Sequence, residues 1–253
     1  MKSGAELINP YDDKRGKTSQ VEEMFDSIAH AYDFMNTAMS FGMHRRWRDK
    51  ALDAVRPLLA EKPREILDIA SGTGDVAFEL GRIFPDAHIT GIDLSENMLQ
   101  IAREKLKNLD EKHKNRFNFQ KGDSLDLSFD DNSFDCVTVA YGVRNFENLQ
   151  KGLLEMHRVL KPGGILCIIE LSEPSNGLIH SLYNLYSRKI IPFFGKIISG
   201  DSKAYSYLPA SIAAAPQRDR MTKLMDDAGL RGSFWKSLNF GVVTYYIAGK
   251  DIK

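Results

Sequence analysis

Little in the chain marks it out by excess. There are two cysteines in 253 residues, Cys136 and Cys167, each inside an apolar β-like run. So few thiols exclude a disulfide scaffold and a thiolate metal cluster, and read as buried free cysteines in a reducing compartment. Neither sign of charge dominates: 34 lysines and arginines balance 34 aspartates and glutamates. A neutral surface gives nucleic acid no basic field to bind. No apolar run approaches the ~20 residues of a membrane span. The opening MKSGAELINPYDDKRGKTSQ has no apolar centre of the kind a signal peptide carries. The expected location is therefore the cytoplasm. Repeats and low-complexity tracts are missing too. The six histidines form no ligand motif, and no metal is expected.

What is present is alternation. Residues 1–17 read as loose, and 18–62 as a helical cap. Within the cap, Ser19 and Glu22 have capping-box spacing ahead of an apolar stripe of Val21, Met24, Phe25, Ile28, Ala29 and Tyr32. A second helix carries Trp47, Ala51, Val55 and Leu59 on one face. From 63 to 253 strand-like runs alternate with amphipathic helices: EILDIA (65–70), HITGID (88–93), RFNFQKG (116–122), FDCVTVAY (134–141) and GILCIIEL (164–171). This spacing predicts a parallel sheet covered on both faces. The stretch of about 176–216 interrupts the rhythm as an aromatic, partly basic insertion. Two last strand runs, GSFWKSLN and VVTYYIAG, are separated by Phe240 and Gly241 alone, which permits an antiparallel pair and no crossover helix. The expected fold is α/β: a doubly wound, mostly parallel seven-stranded sheet with an antiparallel last strand and an N-terminal helical cap.

The turn LDIASGTGD (67–75) places Gly72, Thr73 and Gly74 directly after the first strand, with Asp93 at the end of the second. Read as GTGDVA it satisfies the dinucleotide pattern, which by itself is a weak signal. Asp68 argues against a dinucleotide, because a pyrophosphate is repelled by an acid there while an amino-acid cation is not. S-adenosyl-L-methionine offers an ammonium, a sulfonium and a ribose diol and has no phosphate. Asp68 is placed toward its methionyl end, directly or through water, and Asp93 toward both ribose hydroxyls. Leu94 and Met98 can wall the adenine, and Asp123 with Ser124 can take its amino group and a ring nitrogen. All of these lie at the carboxyl ends of strands, where such sheets bind ligands. The constellation resembles that of class I S-adenosylmethionine-dependent methyltransferases, whose fold is Rossmann-like.

The flanks narrow the resemblance. AYDFMN and SFGMHRRW before the core, GVRNF after the fourth strand and YSYLPASI at 205–212 resemble, in that order, the menaquinone/ubiquinone-biosynthesis C-methyltransferases, the demethylmenaquinone methyltransferases. The likeness runs from about Val21 to Lys250. It implies methylation of a ring carbon of demethylmenaquinol, and in some members of a ubiquinone precursor, at a membrane surface the enzyme touches transiently. It implies that Arg144 and Asn145 stand beside the methyl group, Arg144 stabilising an oxyanion or orienting a water. Tyr32 is assigned both to the chemistry and to the ring, with Asn36, His44 and Trp47 lining the same entrance. Core packing competes for Tyr32 and Trp47, and a solvated face for Arg45, Arg46 and Arg48. Two departures from the family pattern stand out. Ala140 replaces a serine, and ASIAAAP has Ala210 in place of a glutamate followed by Ala213–Ala215.

The segment 181–201, with Tyr183, Tyr186, Phe193, Phe194, Arg188, Lys189 and Lys196, is the expected lipid doorway for a polyprenyl quinol. A nicotinamide oxidoreductase, a catalytically weak cofactor- or lipid-binding partner in a quinone-making assembly, and a phospholipid or sterol methyltransferase stay open as alternatives. A homo-oligomer is compatible with all of them.

Overall fold

In the computed structural model, residues 4–11, 13–59, 63–187 and 202–252 are described. Seven strands, β1 (Glu65–Ile69), β2 (His88–Asp93), β3 (Phe117–Lys121), β4 (Phe134–Ala140), β5 (Leu160–Leu171), β6 (Arg231–Leu238) and β7 (Val243–Gly249), form one sheet in the order β3-β2-β1-β4-β5-β7-β6. The first five pair in parallel, and β7 runs antiparallel to both β5 and β6. Near-continuous apolar strands such as β4, buried over most of its length, are what a sheet with two covered faces requires. Strand order reverses between β1 and its two neighbours β2 and β4, so the crevice for a ligand opens at their carboxyl ends.

Helices α3 (Asp75–Ile83), α4 (Glu96–Lys107), the short α5 (Glu111–Lys114) and α6 (Leu149–Val159) connect the strands. Two apolar layers result. One packs α3 and the cap helix with Trp47 onto the sheet; the other packs α6 and the helix Asp219–Asp227 onto the opposite face. Cys136 and Cys167 are free and buried within the first of these layers. Ser95 caps α4 by accepting from Met98 N at 3.1 Å. After α6 the chain enters β5 at Leu160, four residues earlier than the run at 164–171 suggests. Leu160 pairs with Phe134 ahead of a register shift.

The cap is α1 (Lys17–Ser40) and α2 (Met43–Val55). The Ser19–Glu22 capping box is not used: α1 begins at Lys17, and Gly16 at its N-cap makes no side-chain bond. A carboxylate from across the fold serves instead, since Thr18 N and Oγ1 both donate to Glu147 Oε2 (3.2 and 3.1 Å). Residues ahead of α1 include a single 3-10 turn, Ala5–Leu7, and Leu149 N donates to Glu6 Oε1 at 2.8 Å.

α1 lies across the strand ends and is held there by an acidic row. Lys121 pairs with Glu22, Ser95 Oγ and Asn97 N donate to Asp26, and Thr73 Oγ1 and Lys105 Nζ reach Asp33 at 2.6 and 2.7 Å. Beyond β5 come α7 (Gly177–Leu185), α8 (Ser202–Ala214) and α9 (Asp219–Asp227). Phe193, Phe194, Arg188, Lys189 and Lys196 of the expected doorway lie outside the described residues.

Candidate active site: two cavities with a common wall

A first cavity of about 710 Å³ opens at the carboxyl ends of β1 to β4, under α1. Asp93, Leu94, Met98, Gly72, Asp123, Ser124 and Ala140 all line it. Gly72 has φ +55 and open space around an added Cβ, so a ligand can approach the turn's backbone closely. Asp93 is fixed by two amides, Gly72 N on Oδ2 (2.8 Å) and Ser95 N on Oδ1 (2.9 Å). Each oxygen keeps a second lone pair for a ligand hydroxyl. Burial pushes the Asp93 carboxyl up to about 6, against the pull of those amides. Asp123 Oδ1 accepts from Leu125 N at 2.8 Å, which fixes the loop after β3.

Three of the expected cofactor residues stand behind this lining and do not form it. Asp68 sits one residue too deep in β1, facing its sheet neighbour Thr138, whose Oγ1 donates to Asp68 Oδ1 at 2.7 Å. Asp68 Oδ2 has no partner, and burial pushes this carboxyl up to about 6. Thr73 is committed to Asp33. Gly74, at φ +83, starts α3, and a Cβ there would meet Phe78, Ala102 and Phe119 at 2.9 to 3.1 Å. Its glycine is needed for packing of the turn on α4 and β3.

The lining decides between the two cofactor chemistries. Among the described residues it holds three acids, Asp93, Asp123 and Glu147, and no lysine, arginine or histidine. A pyrophosphate would enter a negative potential with no cation to meet it, whereas a sulfonium and an ammonium are attracted.

A second, larger cavity of about 1120 Å³ lies beside the first, between the cap, α7 and α8. Met24, Ile28, Met35, Met39, Leu171, Leu208, Ile212 and Val242 make most of its surface apolar. Tyr32, Asn36, His44, Trp47, Arg144 and Asn145 all line it. Phe25, Tyr32, Tyr141 and Asn145 line both cavities and so form the wall between them. Tyr32 meets Phe25 edge-on at 6.0 Å, and burial raises its phenol pKa, with Asn36 opposing through a hydrogen bond. Trp47 belongs to the core layer and to the cavity at once.

Arg144 is buried, and its Nη1 donates to Tyr141 O (2.6 Å) and to Glu170 Oε1 (2.5 Å). Glu170 also accepts from Arg144 N and Leu171 N. An acid inside the apolar run CIIEL is the same signal that drew attention to Asp68, and it marks Glu170 equally well. Asn145 is held by Tyr207 of α8, whose hydroxyl donates to Asn145 Oδ1 at 3.1 Å. Of the alanines in ASIAAAP, Ala210 and Ala213 are exposed, Ala214 is half-buried and Ala215 is buried, while Tyr207, Leu208 and Ile212 of the same helix face the cavity.

Four buried polar atoms of this cavity's lining have no partner among the described residues: Trp47 Nε1, Tyr141 Oη, Arg144 Nε and Ser187 Oγ. Each can donate. Tyr141 has a left-handed backbone (φ +58), uncommon for a non-glycine residue. Tyr141 carries no motif that the sequence alone would single out for this role.

The model of the ubiE/COQ5 methyltransferase family matches residues 13–250. The chain belongs to this family. Demethylmenaquinone methyltransferases from Porphyromonas gingivalis and Bacteroides fragilis are similar to it at 46% and 43% identity, each over 97% of this chain and 98% of the relative. Among solved structures, a SAM-dependent methyltransferase from Thermotoga maritima shares the fold with a TM-score of 0.61 at 20% identity, over 90% of this chain and 99% of that one.

Proposed function

We propose that the chain transfers a methyl group from S-adenosylmethionine to a ring carbon of demethylmenaquinol. The observation that carries this is the pair of adjoining cavities, one acidic and one apolar with unpartnered donors. A bound sulfonium supplies the electrophilic methyl; every other requirement falls to the chain. Asp93 receives the ribose hydroxyls, Leu94 and Met98 flank the adenine, and Asp123 with Ser124 takes its polar edge. The acidic lining favours the positive end of the cofactor without any metal.

In the second cavity a dihydroxy ring presents oxygen acceptors to donors that otherwise stand buried and unmatched. Arg144, held charged beside Glu170, stabilises negative charge as it grows on the ring oxygen; a guanidinium is a poor proton acceptor. Asn145 and Tyr32 position the ring against the shared wall. Methylation of a soluble demethylmenaquinol analogue by the purified protein, followed by mass spectrometry, tests the reading. A protein that binds the cofactor and leaves the analogue unmethylated would overturn it.

Tyr141→Phe and Trp47→Phe test the donors singly. Each should weaken the analogue's binding by on the order of tenfold, as for one lost hydrogen bond to a partly charged oxygen. The ligand-free melting temperature of Tyr141→Phe should hold or rise, because an unmatched buried hydroxyl is removed. A clear drop in melting temperature with unchanged binding would make that hydroxyl structural.

A polyprenyl quinol resides in a bilayer, and among the described residues no helix is long and apolar enough to cross one. Contact at the surface is supported by what surrounds the second cavity. Phe41 and Phe240 each sit at a left-handed turn, about 80% exposed. Asn239 Nδ2 donates to Met43 Sδ, and Tyr186 Oη to Met39 O, so both turns and the end of α7 meet near the cavity's rim. Leu178, Leu182 and Leu185 are exposed along α7, and Arg45 and Arg46 are exposed beside Phe41. Phe41→Ser with Phe240→Ser should cut binding to anionic vesicles tenfold or more, given about 1.5–3 kcal/mol per buried aromatic ring. Turnover of a long-chain quinol should slow while that of a short-chain analogue stays intact. Unchanged vesicle binding would remove this rim from the membrane contact.

A further inference from the structure

Tyr32, His44, Arg48, Tyr141, Arg144, Tyr183, Tyr186 and Tyr207 are the titratable residues of the second cavity's lining. Among the described residues that line it there is no carboxylate. The phenols are poor proton acceptors at neutral pH: burial raises the pKa of Tyr32, Tyr141, Tyr183, Tyr186 and Tyr207 alike. Arg144 stays protonated beside Glu170. Removal of the ring's hydroxyl proton therefore needs another group.

The hydrogen bonds around His44 assign its tautomer. Ser40 Oγ lies 2.6 Å from Asn36 O, a carbonyl that can only accept, so the one hydroxyl proton is committed there. The same Oγ lies 2.7 Å from His44 Nδ1. With its proton spent, Oγ accepts, and Nδ1 must carry the hydrogen. In a neutral imidazole that leaves a bare lone pair on Nε2. Two successive left-handed residues, Phe41 and Gly42 (φ 51 and 73), turn the chain so that His44, at the start of α2, faces back onto Ser40. His44 is 6% exposed.

We propose that His44 Nε2 is the base that takes the hydroxyl proton of the ring bound in this cavity; the assignment rests on the reading of that cavity as the quinol site. The imidazole is kept neutral by burial first, then by Arg48 one turn along α2 and by Arg45, with Asp75 and Asp33 opposing. The positive end of α2 acts in the same direction as the arginines. A neutral imidazole whose other nitrogen is anchored is the arrangement general-base catalysis uses.

Nε2 accepts the proton of the hydroxyl next to the reacting carbon, and the released pair moves through the ring to that carbon. The carbon bonds to the methyl as the methyl–sulfur bond breaks, the sulfur keeping that pair and becoming a neutral thioether. The ring carbon then loses its own hydrogen to water as a proton, the ring regains aromaticity, and the imidazolium returns its proton to the oxygen. One proton is released to solvent per methyl transferred.

His44→Asn is the test variant, because an asparagine amide can still donate to Ser40 Oγ but has no basic nitrogen. At saturating cofactor, kcat for the soluble analogue should fall by on the order of a hundredfold or more at neutral pH. The wild-type decline in kcat at acid pH should vanish in the variant, turnover should recover as the pH is raised enough to ionise the quinol in solution, and added imidazole should restore part of it. Cofactor affinity and melting temperature should stay near wild type. A variant with wild-type kcat, or one that keeps the acid limb and gains nothing from imidazole, would overturn the assignment. Failure of the wild-type protein to methylate the analogue would instead overturn the quinol reading itself.

Discussion

An Arg144→Met enzyme should lose about a hundredfold in methyl transfer and, separately, much of its folding stability. The first loss is that of a charged donor next to a developing oxyanion. The second comes from Glu170, left buried with its ion-pair partner gone. Breaking one side of such a pair costs about 3–5 kcal/mol, which for a chain of this size lowers the melting temperature by roughly 6–20 °C. Replacing Glu170 as well should separate the effects. Arg144→Met with Glu170→Gln removes the stranded charge and should regain at least half of the lost stability, with no gain in turnover. Thermal unfolding and single-turnover methylation of the three proteins would measure both quantities. Near-normal turnover in a folded Arg144→Met protein would reduce Arg144 to a structural member of the wall.

Asp93→Ala should weaken cofactor binding by on the order of 2 kcal/mol or more, about thirtyfold, since two charge-assisted hydrogen bonds to the ribose are lost. Calorimetry on the folded variant reads this directly, and unchanged affinity would remove Asp93 from the ribose site. A pH dependence accompanies it. Burial holds the carboxyl at about 6 in the ligand-free protein, and hydroxyl donors bind the ionised form better than the protonated one. Affinity is therefore fully present above about pH 6 and should fall by roughly tenfold per unit below it. Asp93→Asn should bind less tightly and flatten that profile.

The fold was legible because its signals are periodic. Alternating apolar runs and amphipathic helices marked the strands to within a few residues, and the two-residue connection at Phe240–Gly241 disclosed the antiparallel β7. Long-range partners were not legible. The helix start at Lys17 is secured by Glu147, more than a hundred residues away, so the local Ser19–Glu22 pattern misplaced it. The same limit applies to the cavities. Sheet geometry placed Asp93 and Asp123 at strand ends, where they line the first cavity, whereas the bond from Thr138 on the adjacent strand to Asp68, behind that lining, was not readable from spacing. Glu170 and Tyr141 matter through what the fold sets beside them, and no spacing in one sequence encodes that.

The wall made by Phe25, Tyr32, Tyr141 and Asn145 belongs to both cavities. Whichever ligand arrives first fixes side chains that the other would otherwise have to order, and each ligand's affinity then depends on the occupancy of the neighbouring cavity. Thermodynamic reciprocity makes the dependence mutual: the factor by which bound cofactor changes the affinity for quinol equals the factor by which bound quinol changes the affinity for cofactor. On the proposed reading, methyl transfer removes the sulfonium charge from the acidic cavity, so the attraction that held the cofactor weakens as the product forms.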